Sequence, residues 1–357
     1  MKLILKDGSE FIGRNFGAPA RAEGEVVFTT GMVGYVESLS DPSYAGQILV
    51  FTSPLIGNYG VPEKSFFESG GVQAAGVVVS EYSAKYSHYT ARQSLGEWLK
   101  SAGVPGLTGI DTRALTKKLR THGVMLGAIA DDSEKPKEFR DPNGENLVAR
   151  VSSKQRETRG TGPLRIIAVD CGIKENILRS LARPETTVTR VPWDWDFTKE
   201  KYDGIVFSNG PGDPTACLPT IRHIKKAFAL KGLREKPMLG ICLGTQLMAL
   251  AAGAKTYKLK FGHRSQNQPC VESGTGRCYI TSQNHGFAVE GSSLPKEWSV
   301  WFKNANDGSV EGIKHRALPR QAVQFHPEAF PGPTDTSWIF DDFLKMVREY
   351  KTSSFPT

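Results

Sequence analysis

Residues 237–254 read PMLGICLGTQLMALAAGA, a strand-length apolar run that meets a helical pattern at Gly240-Ile241-Cys242-Leu243-Gly244. Glycines on either side of a central residue permit a sharp strand-to-helix turn that lifts that side chain clear of the sheet. Such a turn belongs to a parallel sheet with helices packed on its faces. Gln246 interrupts the run and Lys236 and Lys255 flank it, so it reads as a buried strand and helix rather than a membrane span. The surrounding rhythm agrees. Strands are predicted at 164–170, 186–191, 203–209 and 237–241, with helices at 173–181, at about 218–231 and from Leu243.

The first third of the chain has a different rhythm. Residues 2–12 alternate around Asp7-Gly8, a dipeptide suited to a tight hairpin turn, and strand-length runs follow at 25–28, 47–52 and 74–80. Helical patterns cover 91–103 and 111–123, the second with Asp111 to cap its start and Gly123 its end. Between Asp131 and Gly162 apolar residues thin out, as in a surface connection. The expected organisation is a β-rich α/β domain over 1–155, including the connecting segment from about 131, and a second α/β domain over 156–357 with a mainly parallel, helix-flanked sheet.

Cys242 in the elbow has two readings. It is a small buried residue in a packed turn, or a nucleophile whose sulfur is favoured as an anion by the helix amino terminus. The segment Gln324-Phe325-His326-Pro327-Glu328 bears on the choice. In an extended segment His326 and Glu328 project the same way, so the carboxylate can orient the imidazole while the other ring nitrogen handles a thiol proton. Alone, a His-x-Glu pair is more often a surface contact than a catalytic dyad. With an elbow cysteine it makes a Cys-His-Glu triad. Ser208-Asn209-Gly210-Pro211-Gly212-Asp213-Pro214, directly after a strand, offers unobstructed backbone N–H groups for an oxyanion hole, although a plain surface turn would use the same residues.

Composition removes several other classes. With 39% hydrophobic and 23% charged residues, 357 residues suffice for two packed domains. The net charge of +8 is dispersed, without a basic tail or nucleic-acid-binding signature, so no nucleic-acid partner is expected. Cysteines at 171, 217, 242, 270 and 278 form no Cys-x-x-Cys pair, which points away from disulfides and cysteine-based metal sites and toward a reducing cytoplasm. Cys270 and Cys278 bracket a glycine-rich turn and read as reduced thiols. His223, Lys225, Lys226, Lys231 and Arg234 read as a solvated helix face. The start, MKLILKDGSE, turns polar too early for a secretion signal, so a soluble protein is expected.

SNGPGDP, GICLGTQ and HPE, in this order, resemble the class I, triad-type glutamine amidotransferases over about 165–348. GEVVFTTGMVGYVESLSDPSYAGQILV, PLIGNYG and GIDTRALTKKLR are similar to the small-subunit domain of carbamoyl-phosphate synthetase, so the resemblance covers almost the whole chain. It implies that Cys242 forms a γ-glutamyl thioester, His326 is the general acid/base and Glu328 orients it. It further implies glutamine contacts from Ser43, Gly210, Gly212, Leu243, Gln246, Asn284, Gly286 and Phe287. Ser43 would bring glutamine near the domain interface.

The chain carries no Gly-x-x-x-x-Gly-Lys-Ser/Thr phosphate loop. By resemblance, ATP, Mg and bicarbonate are used by a partner, the large synthetase subunit, in a hetero-oligomer that receives the ammonia; this chain needs no cofactor or metal of its own. The product would serve pyrimidine and/or arginine synthesis. Two residues depart from the family pattern: Thr245 stands where His is usual and Ser265 where Gly is usual. Three alternatives follow: a regulatory subunit with weak or absent glutaminase activity, an amidotransferase for another synthetase, or a cysteine hydrolase of peptides.

Overall fold

The computed structural model describes residues 1–134, 136 and 138–354. Lys135 and Lys137 of the connecting segment, and residues 355–357, lie outside the described residues. The chain divides into two compact units, Met1–Leu147 and Val148–Thr357.

The first unit opens with the expected hairpin. Lys2–Leu5 pairs antiparallel with Glu10–Ile12, and Gly8 makes the turn at φ 85°, where a side chain would be strained. Ala22–Thr29, Gln47–Phe51, Gly76–Val78 and Gly106–Thr108 run parallel in the middle of an eight-stranded sheet, and antiparallel strands complete its margins. The helix expected over 91–103 starts later, at Leu95, because Ser94 and Glu97 close a capping box there. The next helix, Thr112–His122, is capped by Asp111, whose carboxylate accepts from the Ala114 N–H at 2.8 Å, and ends at Gly123. Val27, Leu49, Val77, Leu95 and Leu99 meet in the core of this unit.

In the second unit the strands Thr186–Pro192, Leu164–Asp170, Gly204–Phe207, Met238–Ile241 and Arg320–Val323 lie side by side, each parallel to its neighbour. Apolar side chains fill both faces of this sheet. On one face Phe207 packs with Ile224, Leu247 and Met248 from the helices Leu218–Ala229 and Leu243–Ala252. On the other, Ile166 and Val206 pack with Ile177, Phe340 and Phe343 from Glu175–Leu181 and Trp338–Ser354. The parallel run is the part that the strand-helix alternation foretells.

Beyond Arg320–Val323 the sheet turns antiparallel through Val310–His315, Cys278–Val289, Thr256–Glu272 and Trp298–Asn304. The long pair Thr256–Glu272 and Cys278–Val289 shifts register between Lys258 and His263 and again between Ser265 and Gln268. Those irregularities break the period-2 pattern that would announce a strand in sequence. Cys270 and Cys278 do flank its turn, the first buried and the second exposed, and both are free thiols. Lys225, Lys226, Lys231 and Arg234 are exposed, whereas His223 is half-buried and 4.0 Å from Asp196. Among the described residues no helix is long and apolar enough to cross a membrane.

Candidate active site

Cys242 joins the strand Met238–Ile241 to the helix Leu243–Ala252 with φ 54° and ψ −104°, a conformation that non-glycine residues avoid. Such strain persists only where the surroundings enforce it. Here they do. A Cβ on Gly244 would lie 2.1 Å from the Phe207 carbonyl oxygen, and one on Gly240 would lie 2.8 Å from the backbone of Gly244. The elbow glycines are therefore required by close backbone approach as well as by turn geometry. The carbonyl of Val323 fastens the turn by accepting from the Cys242 N–H at 2.8 Å and from the Thr245 hydroxyl at 2.6 Å. Thr245 thus ties the first turn of the helix Leu243–Ala252 to the strand that leads to His326.

His326 and Glu328 follow that strand directly and are buried. The His326 N–H donates to the Ser282 carbonyl at 2.9 Å, which sets the backbone. Its Nδ1 lies 2.6 Å from Glu328 Oε1, which fixes the tautomer and leaves Nε2 as the nitrogen that can exchange protons. Burial disfavours the charged imidazolium, but Glu328 and then Cys242 favour it more, and the pKa is pushed up to about 10. Burial likewise opposes ionisation of Glu328, yet Lys174 and His326 hold its pKa down to about 2. The Cys242 sulfhydryl points to the Asn284 carbonyl oxygen at 3.6 Å.

Lys174 is the residue that the sequence did not single out. It is buried, with its Nζ 2.9 Å from Glu328 Oε1, and it also donates to the Ala329 carbonyl. The Asn176 side-chain amide donates to the Glu328 carbonyl. Lys174 comes from the loop before Glu175–Leu181, where its own N–H donates to the Asn209 side chain at 3.1 Å. A lysine after a strand carries no sequence signal of this role; only the fold brings 174 to 328.

Gly210 packs so closely that a Cβ there would fall 2.0 Å from the Cys171 carbonyl oxygen and 2.8 Å from a Leu243 methyl. Gly212 adopts φ 84°, and the Gly244 N–H donates to the Ser208 carbonyl at 3.0 Å, so the 208–214 loop is seated at the start of the nucleophile helix. Gln246 donates to the Phe287 carbonyl at 2.9 Å and to Gln324 Oε1 at 3.1 Å. Leu243, Gln246, Asn284 and Phe287 are therefore brought around Cys242, with Gly286 between the last two on Cys278–Val289. Ser43 lies in the first unit, on the single turn Pro42–Tyr44, where its N–H donates to Asp41 at 2.9 Å. Ser265 sits at the second register shift of the long strand pair, where its hydroxyl bonds the Asn267 side chain.

A strained elbow cysteine, a buried imidazole oriented by a carboxylate and a glycine loop beside them have the make-up of a thiol-nucleophile site. Residues 167–346 match the glutamine amidotransferase class-I family, and residues 3–129 match the carbamoyl-phosphate synthase small chain, CPSase domain. The carbamoyl phosphate synthase arginine-specific small chain of Aspergillus oryzae is 49% identical over 365 residues, covering 98% of this chain and 80% of its own. That of Phaeosphaeria nodorum is 47% identical over 363 residues, covering 97% and 76%. The multifunctional protein CAD of Squalus acanthias is 51% identical over 360 residues; the match takes in 98% of this chain but spans only 16% of CAD. The chain belongs to the carbamoyl-phosphate synthase small chain family.

Proposed function

We propose that this chain hydrolyses L-glutamine to glutamate and ammonia at Cys242 and delivers the ammonia to a large synthetase subunit, which makes carbamoyl phosphate from bicarbonate and ATP with Mg. The observation that carries the reading is the Cys242 elbow set against the buried His326–Glu328 pair at 2.6 Å. Sulfur attacks the glutamine side-chain carbonyl carbon as its proton passes to His326 Nε2. The oxyanion is held by the Leu243 N–H and by N–H groups of the Gly210–Gly212 loop. His326 then returns the proton to the amide nitrogen, the C–N bond breaks, ammonia leaves and a γ-glutamyl thioester remains. Water, deprotonated by His326, attacks the thioester carbonyl; the C–S bond breaks, glutamate leaves, and His326 returns the proton to the Cys242 sulfur. Glu328 orients the imidazole and stabilises it whenever it carries the proton, and Lys174 holds Glu328. Gln246, Asn284, Gly286 and Phe287 recognise the amino-acid end of the substrate.

The ammonia has to be enclosed, because in neutral water it is protonated and loses its nucleophilicity. The carbamoyl phosphate enters arginine or pyrimidine synthesis; the two fungal relatives are named for arginine. Five free thiols support a reducing, cytoplasmic setting. The test is glutamate release by wild type and Cys242→Ser, with and without the large subunit, bicarbonate and ATP. Release that rises with the partner and is lost in Cys242→Ser is expected; equal traces from both proteins would replace this reading with a regulatory one.

A further inference from the structure

Away from the nucleophile, three buried chemistry-bearing side chains converge in the antiparallel half of the second unit. His263 and His285 stand directly opposite each other on Thr256–Glu272 and Cys278–Val289, with ring centroids 5.0 Å apart at 87°. Glu311 reaches them from Val310–His315. We propose that His263, His285 and Glu311 bind a divalent transition cation of the zinc class.

The distances suit a tetrahedral ion. His263 Nδ1 is 3.2 Å and His285 Nε2 is 3.7 Å from Glu311 Oε1, and the three ligand atoms lie within 4.8 Å of one another. Zinc bonds of about 2.0–2.2 Å separate tetrahedral ligands by roughly 3.4 Å, so two edges are near their bound lengths and a small ring movement closes the third. Gln283 Oε1, 3.1 Å from His285 Nε2, stands beside the fourth position. All three residues are buried, Glu311 completely.

The outer ring nitrogens decide which atoms face inward. His263 Nε2 is 2.9 Å from Asp307 Oδ2, and His285 Nδ1 is 2.8 Å from the Phe287 carbonyl oxygen. Both partners only accept, so both outer nitrogens carry hydrogen. The inner nitrogens, His263 Nδ1 and His285 Nε2, face the Glu311 carboxylate and the Gln283 side-chain oxygen. Histidines that bind metal through one nitrogen characteristically donate the other N–H to a carboxylate or backbone carbonyl, which is the arrangement here. A second observation is independent of the rings: Glu311 Oε2 is buried without a hydrogen-bonding partner. The donor set, two imidazoles and a carboxylate, suits zinc.

A bound ion would brace the strand carrying Asn284, Gly286 and Phe287, because the Phe287 carbonyl held by His285 also holds Gln246. That consequence rests on the glutamine reading above, whereas ion binding does not.

The experiment uses chelator-stripped full chain carrying Cys242→Ser and Cys278→Ser, which remove the active-site thiol and the exposed one, in equilibrium dialysis against Zn2+ and in Co2+ absorption titrations. About one ion per chain with an intense tetrahedral cobalt band is expected. Affinity should fall roughly tenfold or more in both His263→Asn and Glu311→Gln, each checked for native circular dichroism. No bound zinc in the Cys242→Ser, Cys278→Ser chain, or only the weak bands of octahedral cobalt, overturns the proposal whether or not the variants fold. Undiminished affinity in the folded variants overturns it as well.

Discussion

The Lys174 ammonium lies 2.9 Å from the Glu328 carboxylate, and neither side chain is more than 3% exposed. Two charges taken out of water are tolerated because His326 and the Ala329 carbonyl satisfy them further. Lys174→Met leaves Glu328 with one charged partner fewer in a site without solvent. The expected cost is about 3 kcal/mol or more in urea unfolding, with a glutaminase kcat reduced roughly tenfold or more. The same lysine change made in a Glu328→Gln background should cost much less, so a double-mutant cycle measures the coupling.

The pH dependence of stability carries the signature of the same group of residues. His326 is raised from 6.5 to about 10 in the folded chain, so its contribution is complete below about 6.5 and is lost as pH rises through about 10. Glu328 is lowered from 4.5 to about 2, so its contribution is complete above about 4.5 and is lost as pH falls through about 2. The stability gap between wild type and Glu328→Gln should therefore shrink between pH 6.5 and 10. Urea midpoints at pH 6, 8 and 10 check the sign; a gap that widens would contradict it.

The Thr245 hydroxyl bonds the Val323 carbonyl at 2.6 Å. Thr245→Val keeps the volume but removes a buried donor, with an expected loss of about 1–3 kcal/mol. Since that carbonyl also holds the Cys242 N–H, kcat should fall while KM for glutamine changes little. Steady-state glutaminase assays separate the two.

Gly210→Ala places a methyl group where the Cys171 carbonyl oxygen already stands, 2.0 Å away. Backbone cannot yield as a side-chain end can, so the 208–214 loop has to move from the start of the nucleophile helix. Glutaminase activity should drop roughly 100-fold or more, as for loss of an oxyanion donor. Gly144→Ala, with nothing within 4 Å and no left-handed backbone, is the control and should retain activity.

Local chemistry made much of this molecule legible in sequence. Gly240 and Gly244 around Cys242 announced the elbow, Asp7-Gly8 the first hairpin, and Asp111 and Gly123 the ends of a helix. His326 and Glu328 were legible because two residues on one extended segment meet without help from the rest of the fold. Lys174 was not, because its partner lies 154 positions away in sequence and is reached only through the order of strands. His263, His285 and Glu311 were hidden for a related reason: their meeting depends on the register between strands, and bulges beside His263 and Ser265 disrupt the alternation that would reveal it. Side chains that work through pairing across a sheet leave little trace in spacing.

The central claim is that Cys242 carries the glutamyl group. Acid quenching of the complex during glutamine turnover, followed by peptide mass spectrometry, reads it directly. A γ-glutamyl adduct on the peptide containing Cys242, absent from Cys242→Ser and accumulating when hydrolysis is slowed, is the predicted result. Undiminished glutamate release by Cys242→Ser, or an adduct on a different residue, would contradict it.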